Sequence, residues 1–286
     1  MIAKSILFLL LGACTVGFAA LWYRHERGFT AALPNRMQLA IGFVTDFLDT
    51  LGIGSFAITT SLYRGSGLVD DAEIPGTLNV GHAIPTFAEA FIFIAVVDVD
   101  MTTLIAMIAA AVAGAWLGAG VVTRWPRRRI QIGMGSLLLV AAAIMVLRQT
   151  GEVPSGGEAL GLAGAPLVAG VLGNFVLGAL MTLGIGLYAP CMILVSLLGM
   201  NARTAFPIMM GSCAFLMPAA SARFIRSGRY DRRAALGLAL GGTPAVLIAG
   251  LIVKSLPLET IKWLVVVVVI FTAISMLRSA AAARSV

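Results

Sequence analysis

Four ionisable side chains, Asp46, Asp49, His82 and Glu89, lie in stretches of sequence that are otherwise apolar. Asp46 and Asp49 are three residues apart, so on a helix they share a face. Asn79, His82, Thr86 and Glu89 follow at i, i+3, i+7 and i+10, which makes one polar stripe on a helix that Pro85 is expected to kink. An acid at the centre of a bilayer costs about 2.5–3.5 kcal/mol on insertion scales. Groups kept there at that cost serve proton relay, gating or ion passage, and the plainer alternative is a structural carboxylate–imidazole pair with some water. The expected role of the four is proton coupling or gating.

A second feature adjoins the first. Thr50-Leu51-Gly52-Ile53-Gly54 recurs as Thr182-Leu183-Gly184-Ile185-Gly186. Glycines let a helix break where side chains would obstruct it, and the helix beginning after a break offers free N–H groups to an anion. The expected anion-binding residues are Thr50, Gly52, Gly54 and Ser55 at the first break, and Thr182, Gly184 and Gly186 at the second. Tyr188 and Ser212 are added as hydroxyl donors. The competing explanation is that the glycines only allow close helix packing.

These residues need a membrane to hold them. Of the 286 residues, 59% are hydrophobic and 12% charged, whereas soluble proteins carry about 25% charged residues. This composition excludes a water-soluble enzyme and predicts an all-α polytopic membrane protein. Apolar runs at 2–23, 74–97, 101–123, 130–147, 204–222, 234–253 and 261–277 approach the roughly 20 residues a span needs. Runs 37–63 and 160–198 have other lengths and are interrupted by glycine, as hairpins or paired spans would be. The long first run, with Lys4, reads as a retained span rather than a signal peptide.

The net charge of +7 comes mainly from arginines gathered between spans, which is a membrane pattern and implies no nucleic acid partner. The Arg124–Arg129 and Arg223–Arg233 loops are then cytoplasmic, as is the C-terminus. The Asp98/Asp100 and Glu152/Glu158 loops face the other side. Arg203 and Arg223 sit near span ends, where snorkelling is the ordinary reading. Three cysteines without CxxC spacing argue against a disulfide framework or a metal site.

Pro75 and Pro207, Asp100 and Asp231, Pro126 and Pro257, and Leu147-Arg148 and Leu277-Arg278 keep nearly the same offset as the two glycine breaks. The reading is two homologous halves, 37–148 and 165–278, joined by a linker at 149–164. An extra helix and loop at 1–36 precede them, and a tail at 279–286 follows. Matched loops carry reversed charge bias, the pattern of an inverted-topology repeat with broken helices at the midplane. No HExxH, GxSxG, P-loop or Rossmann pattern stands in usable context, so no enzyme and no cofactor are expected.

Two halves that each open with a glycine break after a small-residue helix resemble the sulfite exporter TauE/SafE family of membrane permeases. The matching stretches are Gly42–Gly54, GFVTDFLDTLGIG, and Gly173–Gly186, GNFVLGALMTLGIG, with Pro190 beyond. Asn201-Ala-Arg-Thr-Ala-Phe-Pro207 is similar to the family's arginine-bearing entry to its next span. The third glycine of the family motif is replaced here by Ser55 and Leu187. The resemblance covers about 37–278 and implies a bacterial inner-membrane secondary transporter for a small anion such as sulfite, a sulfonate or a related carboxylate. The rivals are a cation or metal transporter built on Asp46, Asp49, His82 and Glu89, an anion channel, and a membrane interaction protein that transports nothing.

Overall fold

The computed structural model describes residues 2–26, 33–118, 127–150, 157–181 and 186–282. Among these, 84% are helical and no strand occurs, so the chain is an all-α polytopic membrane protein. Twelve helices follow in order: α1 Ile2–His25, α2 Arg36–Thr50, α3 Ser55–Ser66, α4 Ile74–Gly81, α5 Ala83–Val96, α6 Met101–Ala113, α7 Arg127–Gln149, α8 Gly164–Met181, α9 Tyr188–Leu197, α10 Ala205–Ser227, α11 Arg232–Ser255 and α12 Leu258–Ala282. A π-helical turn at Gly114–Gly118 extends α6, and a 3₁₀ turn at Ala202–Thr204 leads into α10.

Seven helical stretches among the described residues are long and apolar enough to cross a membrane. Six of them fall on the expected runs and Gly164–Met181 lies within the expected 160–198 run, while residues 119–123 of the run expected at 101–123 lie outside the described residues. Run 37–63 is a helix–break–helix, α2 to α3, and run 160–198 holds α8 and α9, with residues 182–185 outside the described residues. The helix expected over 74–97 is interrupted at His82. Pro85 carries no N–H for the Gly81 carbonyl, so the α-helical ladder fails there, and it resumes where Thr86 N–H donates to the His82 carbonyl at 3.0 Å.

One order of elements runs twice. Helix, glycine-bearing segment, short helix, long helical stretch and two further helices describe both α2–α7 and α8–α12. The compact units cut across this order, because each takes elements from both sequence halves. Unit 1 comprises Met1–Val96 and Cys213–Lys254, and unit 2 comprises Val97–Ser212 and Ser255–Val286.

In unit 1, α2 lies directly against α11. A Cβ on Gly42 would meet the Gly237 carbonyl at 2.7 Å, and one on Gly237 would meet Gln38 Cβ at 2.7 Å. Small residues are what such close helix approach requires in a membrane. In unit 2, α8 packs on α6 and its π turn, with Gly178 against the Ala111 backbone and Gly114 against Phe175. Counting α4 and α5 as one stretch, the first helix of each half thus packs on the fourth of the other. Helices α7 and α12 form the most extensive pair in unit 2.

Helix α1 is held to unit 1 at both ends. Lys4 Nζ donates to the Ala95 carbonyl at 3.1 Å. At the far end Trp22 Nε1 donates to the Tyr230 hydroxyl at 3.2 Å, Tyr230 bonds to Glu26, and Arg232 pairs with Glu26 at 3.2 Å. An apolar groove of about 490 Å³, lined by Trp22, Ile84, Leu240 and Pro244 among others, also lies in unit 1, and no predicted site residue lines it.

Candidate functional site

Helix α2 starts on a capping box, in which Asn35 Oδ1 accepts from Gln38 N–H and Gln38 Oε1 accepts from Asn35 N–H. It ends at Thr50, where Gly52 and Gly54 adopt φ of 92° and 88°. These are left-handed conformations that a side chain would strain, so the break depends on glycine here. The chain then starts α3 at Ser55.

The side chains around the break are buried. Asp46, Thr50, Thr59, His82 and Glu89 are each 0% exposed, Asp49 is 4% and Ser55 2%. The expected ionisable group therefore converges within unit 1, with specific partners. His82 Nδ1 lies 2.7 Å from Asp46 Oδ1, and His82 Nε2 lies 3.1 Å from Thr59 Oγ1. Thr50 Oγ1 lies 2.8 Å from Glu89 Oε1 and also 2.8 Å from the Asp46 carbonyl. Glu89 thus joins through Thr50. Asn79 of the expected stripe turns away: its amide donates to the Pro75 carbonyl at 2.8 Å.

Asp49 changes the electrostatics of the break. Ser55 N–H, the first of α3, donates to Asp49 Oδ1 at 2.7 Å. The helix N-terminus expected to attract an anion already has a carboxyl acceptor, supplied by the chain. A carboxylate accepting a backbone N–H at a helix start is a charge-assisted bond, stronger than a neutral one.

Asp46 is held less completely. Its Oδ2 is buried without a hydrogen-bond partner, and a Cβ on Gly242 of α11 would overlap it. A buried unpaired carboxylate oxygen is costly, which distinguishes Asp46 from the other buried acids of unit 1. Phe56 stacks obliquely beside His82, with ring centroids 5.9 Å apart.

Of the second break, Thr182 and Gly184 lie outside the described residues. Gly186, Tyr188 and Ser212 belong to unit 2. Ser212 Oγ accepts from Asn174 Nδ2 at 3.0 Å, and the same amide donates to the Met107 carbonyl at 2.7 Å. Asn174 Oδ1 is buried without a partner. Sequence reasoning missed Asn174 and Thr59 as site residues. An asparagine alone in apolar α8 was a usable signal, whereas Thr59 stands next to Thr60 and Ser61 and nothing in its spacing singles it out.

Arg203, near a span end, donates through Nη2 to the Leu256 carbonyl at 2.7 Å, a structural tie in unit 2. Among the described residues no three His, Cys, Asp or Glu side chains converge as a metal ion would need. Comparisons of the chain with protein-family models, with curated proteins and with solved structures gave no significant match, so the TauE/SafE resemblance rests on the sequence motifs.

Proposed function

We propose that the protein is a proton-coupled secondary transporter for a small anion, with sulfite or a sulfonate as the substrate class. The observation that carries this reading is the fully buried Asp46–His82 pair beside a glycine-broken helix whose N-terminus is closed by Asp49. Seven apolar helices fit a membrane transporter in general. A titratable pair inside the membrane gives a proton-binding step, since imidazole changes charge near neutral pH. Asp49 gives a competition step, because an anion and the carboxylate contend for the same Ser55 N–H.

The sulfur-containing substrate class follows from the TauE/SafE resemblance. The recurring order of elements, and the packing of each half's first helix on the other's fourth, support the reading as two related halves in inverted topology. The basic loops favour a bacterial inner membrane with the C-terminus in the cytoplasm.

The test is uptake of labelled sulfite by proteoliposomes under an imposed pH gradient. Saturable, gradient-driven flux that falls by about tenfold or more in Asp46→Asn is the expected result. Flux indifferent to the gradient and to Asp46→Asn overturns the proposal.

A second reading, a cation transporter, is favoured by Asp49 already occupying the α3 N-terminus and by the unpartnered Asp46 Oδ2. A divalent cation at about 100 times its Kd would stabilise the protein by about 2.7 kcal/mol under that reading. Under the anion reading sulfite does so instead.

A further inference from the structure

Proton positions around His82 follow from counting donors. Thr59 Oγ1 lies 2.9 Å from the Ser55 carbonyl and 3.1 Å from His82 Nε2. A carbonyl only accepts, and Thr59 has a single hydroxyl proton, so the same distances fit two arrangements. Either Thr59 donates to the Ser55 carbonyl and a protonated Nε2 donates to Thr59, or Thr59 donates to a bare Nε2. The 2.7 Å contact between Nδ1 and Asp46 Oδ1 requires a proton between those atoms in both. The pair holds two protons in the first arrangement and one in the second, where a neutral imidazole stands beside an ionised carboxylate.

We infer that the Asp46–His82 pair is the proton-loading site of the transporter and that the Thr59 hydroxyl is a two-position switch reporting its state to the helix break. In the loaded state Nε2–H donates to Thr59, and Thr59 donates to the Ser55 carbonyl. Loss of one proton to bulk water leaves Nδ1–H donating to the Asp46 carboxylate and a bare Nε2 lone pair. Thr59 then rotates its proton onto Nε2 and releases the Ser55 carbonyl. The pair passes from net neutral to net −1, and no other bond is made or broken.

Ser55 is the residue through which this reaches the break, since its N–H is the group that Asp49 holds. Thr59 is a positioning residue, and the proton itself resides on His82 and Asp46. The titratable groups acting on His82 are Asp46 and Asp49 of α2. Tyr63 of α3 and Glu89 of α5 are buried in the same unit, and α11 presents Gly242 to Asp46. The inference rests on the proton-coupled reading above and names the site and the residue that carry the coupling.

The chain has two histidines, His25 and His82. Full-length protein carrying His25→Gln, labelled with ¹⁵N-histidine and held in lipid nanodiscs, reports His82 alone. The expected spectrum shows Nε2 protonated at about pH 5 and bare at about pH 9, with Nδ1 protonated or hydrogen-bonded throughout. Thr59→Val displaces the midpoint by about half a pH unit or more, and Thr59→Ser restores it.

An Nε2 that stays bare, an Nε2 that never releases its proton, or a Thr59→Val midpoint equal to wild type overturns the inference. Sulfite flux in proteoliposomes separates the two ideas. Gradient-driven flux with an unresponsive Nε2 removes the switch and keeps the transporter. The expected titration without flux removes the transporter and keeps the proton site.

Discussion

Asp49 closes the N-terminus of the helix that follows its own: its Oδ1 accepts the Ser55 N–H at 2.7 Å across the turn formed by Leu51–Gly54. The break is thereby a latched joint. An anion reaching Ser55 must displace a carboxylate, and the displaced carboxylate is stabilised by taking up a proton.

Neutralising the latch therefore favours the ligand. Asp49→Asn is expected to tighten sulfite binding by about tenfold, because the amide competes less well than a charged oxygen for the same N–H. Isothermal titration of the detergent-purified variant against wild type checks this. Equal or weaker binding counts against Ser55 as the anion's donor.

Gly242 makes room for Asp46 Oδ2. Gly242→Ala is expected to destabilise by about 1–3 kcal/mol through overpacking. Combining it with Asp46→Ala is expected to cost clearly less than the two single changes added together, since the clash disappears. Thermal unfolding of the four proteins in the cycle decides it, and strict additivity would place the strain elsewhere.

Gly52, at φ 92°, holds a backbone conformation that a residue with a Cβ adopts only under strain. Gly52→Ala is expected to cost about 1–2 kcal/mol. Ala13→Gly, in the outer part of α1, serves as the comparison for an ordinary helix position, where the cost is about 0.5–1 kcal/mol. Unfolding in urea measures both.

In unit 2, Ser212→Ala leaves one Asn174 N–H unpaired, at an expected cost of about 1–3 kcal/mol. The double variant Asn174→Leu/Ser212→Ala removes both members of the bond and is expected to cost less than the sum of Asn174→Leu and Ser212→Ala. A rise in the KM for sulfite with kcat unchanged in Ser212→Ala would further mark Ser212 as a substrate contact.

Tyr230 lies between the spans, and burial together with its bond to Glu26 pushes its hydroxyl well above the usual tyrosine range. A raised value in the folded state means that stability is fully present below about pH 10, the unfolded tyrosine value, and declines as pH rises beyond it. Tyr230→Phe is expected to lower stability at neutral pH, through the lost bonds to Glu26 and Trp22, and to flatten the alkaline decline. A pH series of melting curves from neutral to strongly alkaline tests both signs.

Membrane class, helical content and the shared faces of Asp46 with Asp49 and of His82 with Glu89 were legible in composition and in helical spacing, whereas the Asp46–His82 contact, between residues 36 apart, was not. The partner of Glu89 was not, because Thr50 and Glu89 are 39 residues apart and nothing local links them. Asp49 was read as part of an ionisable face, yet its Oδ1 caps the next helix, a role fixed by the turn geometry at Gly52 and Gly54. Thr59 was invisible for a different reason: its importance comes from having one proton and two neighbours, which only distances reveal. The compact units escaped the sequence because α2 packs on α11 and α6 on α8, contacts made across the boundary between the halves.

The pairing of α2 with α11 also sets a schedule for biogenesis. Gly242 follows Asp46 by 196 residues, and at about 5–20 residues per second these take on the order of 10–40 s to be synthesised. During that interval the face of α2 that bears Gly42 and Asp46 lacks the α11 backbone on which it packs. The chain thus carries an early helix whose packing surface is among the last to be synthesised.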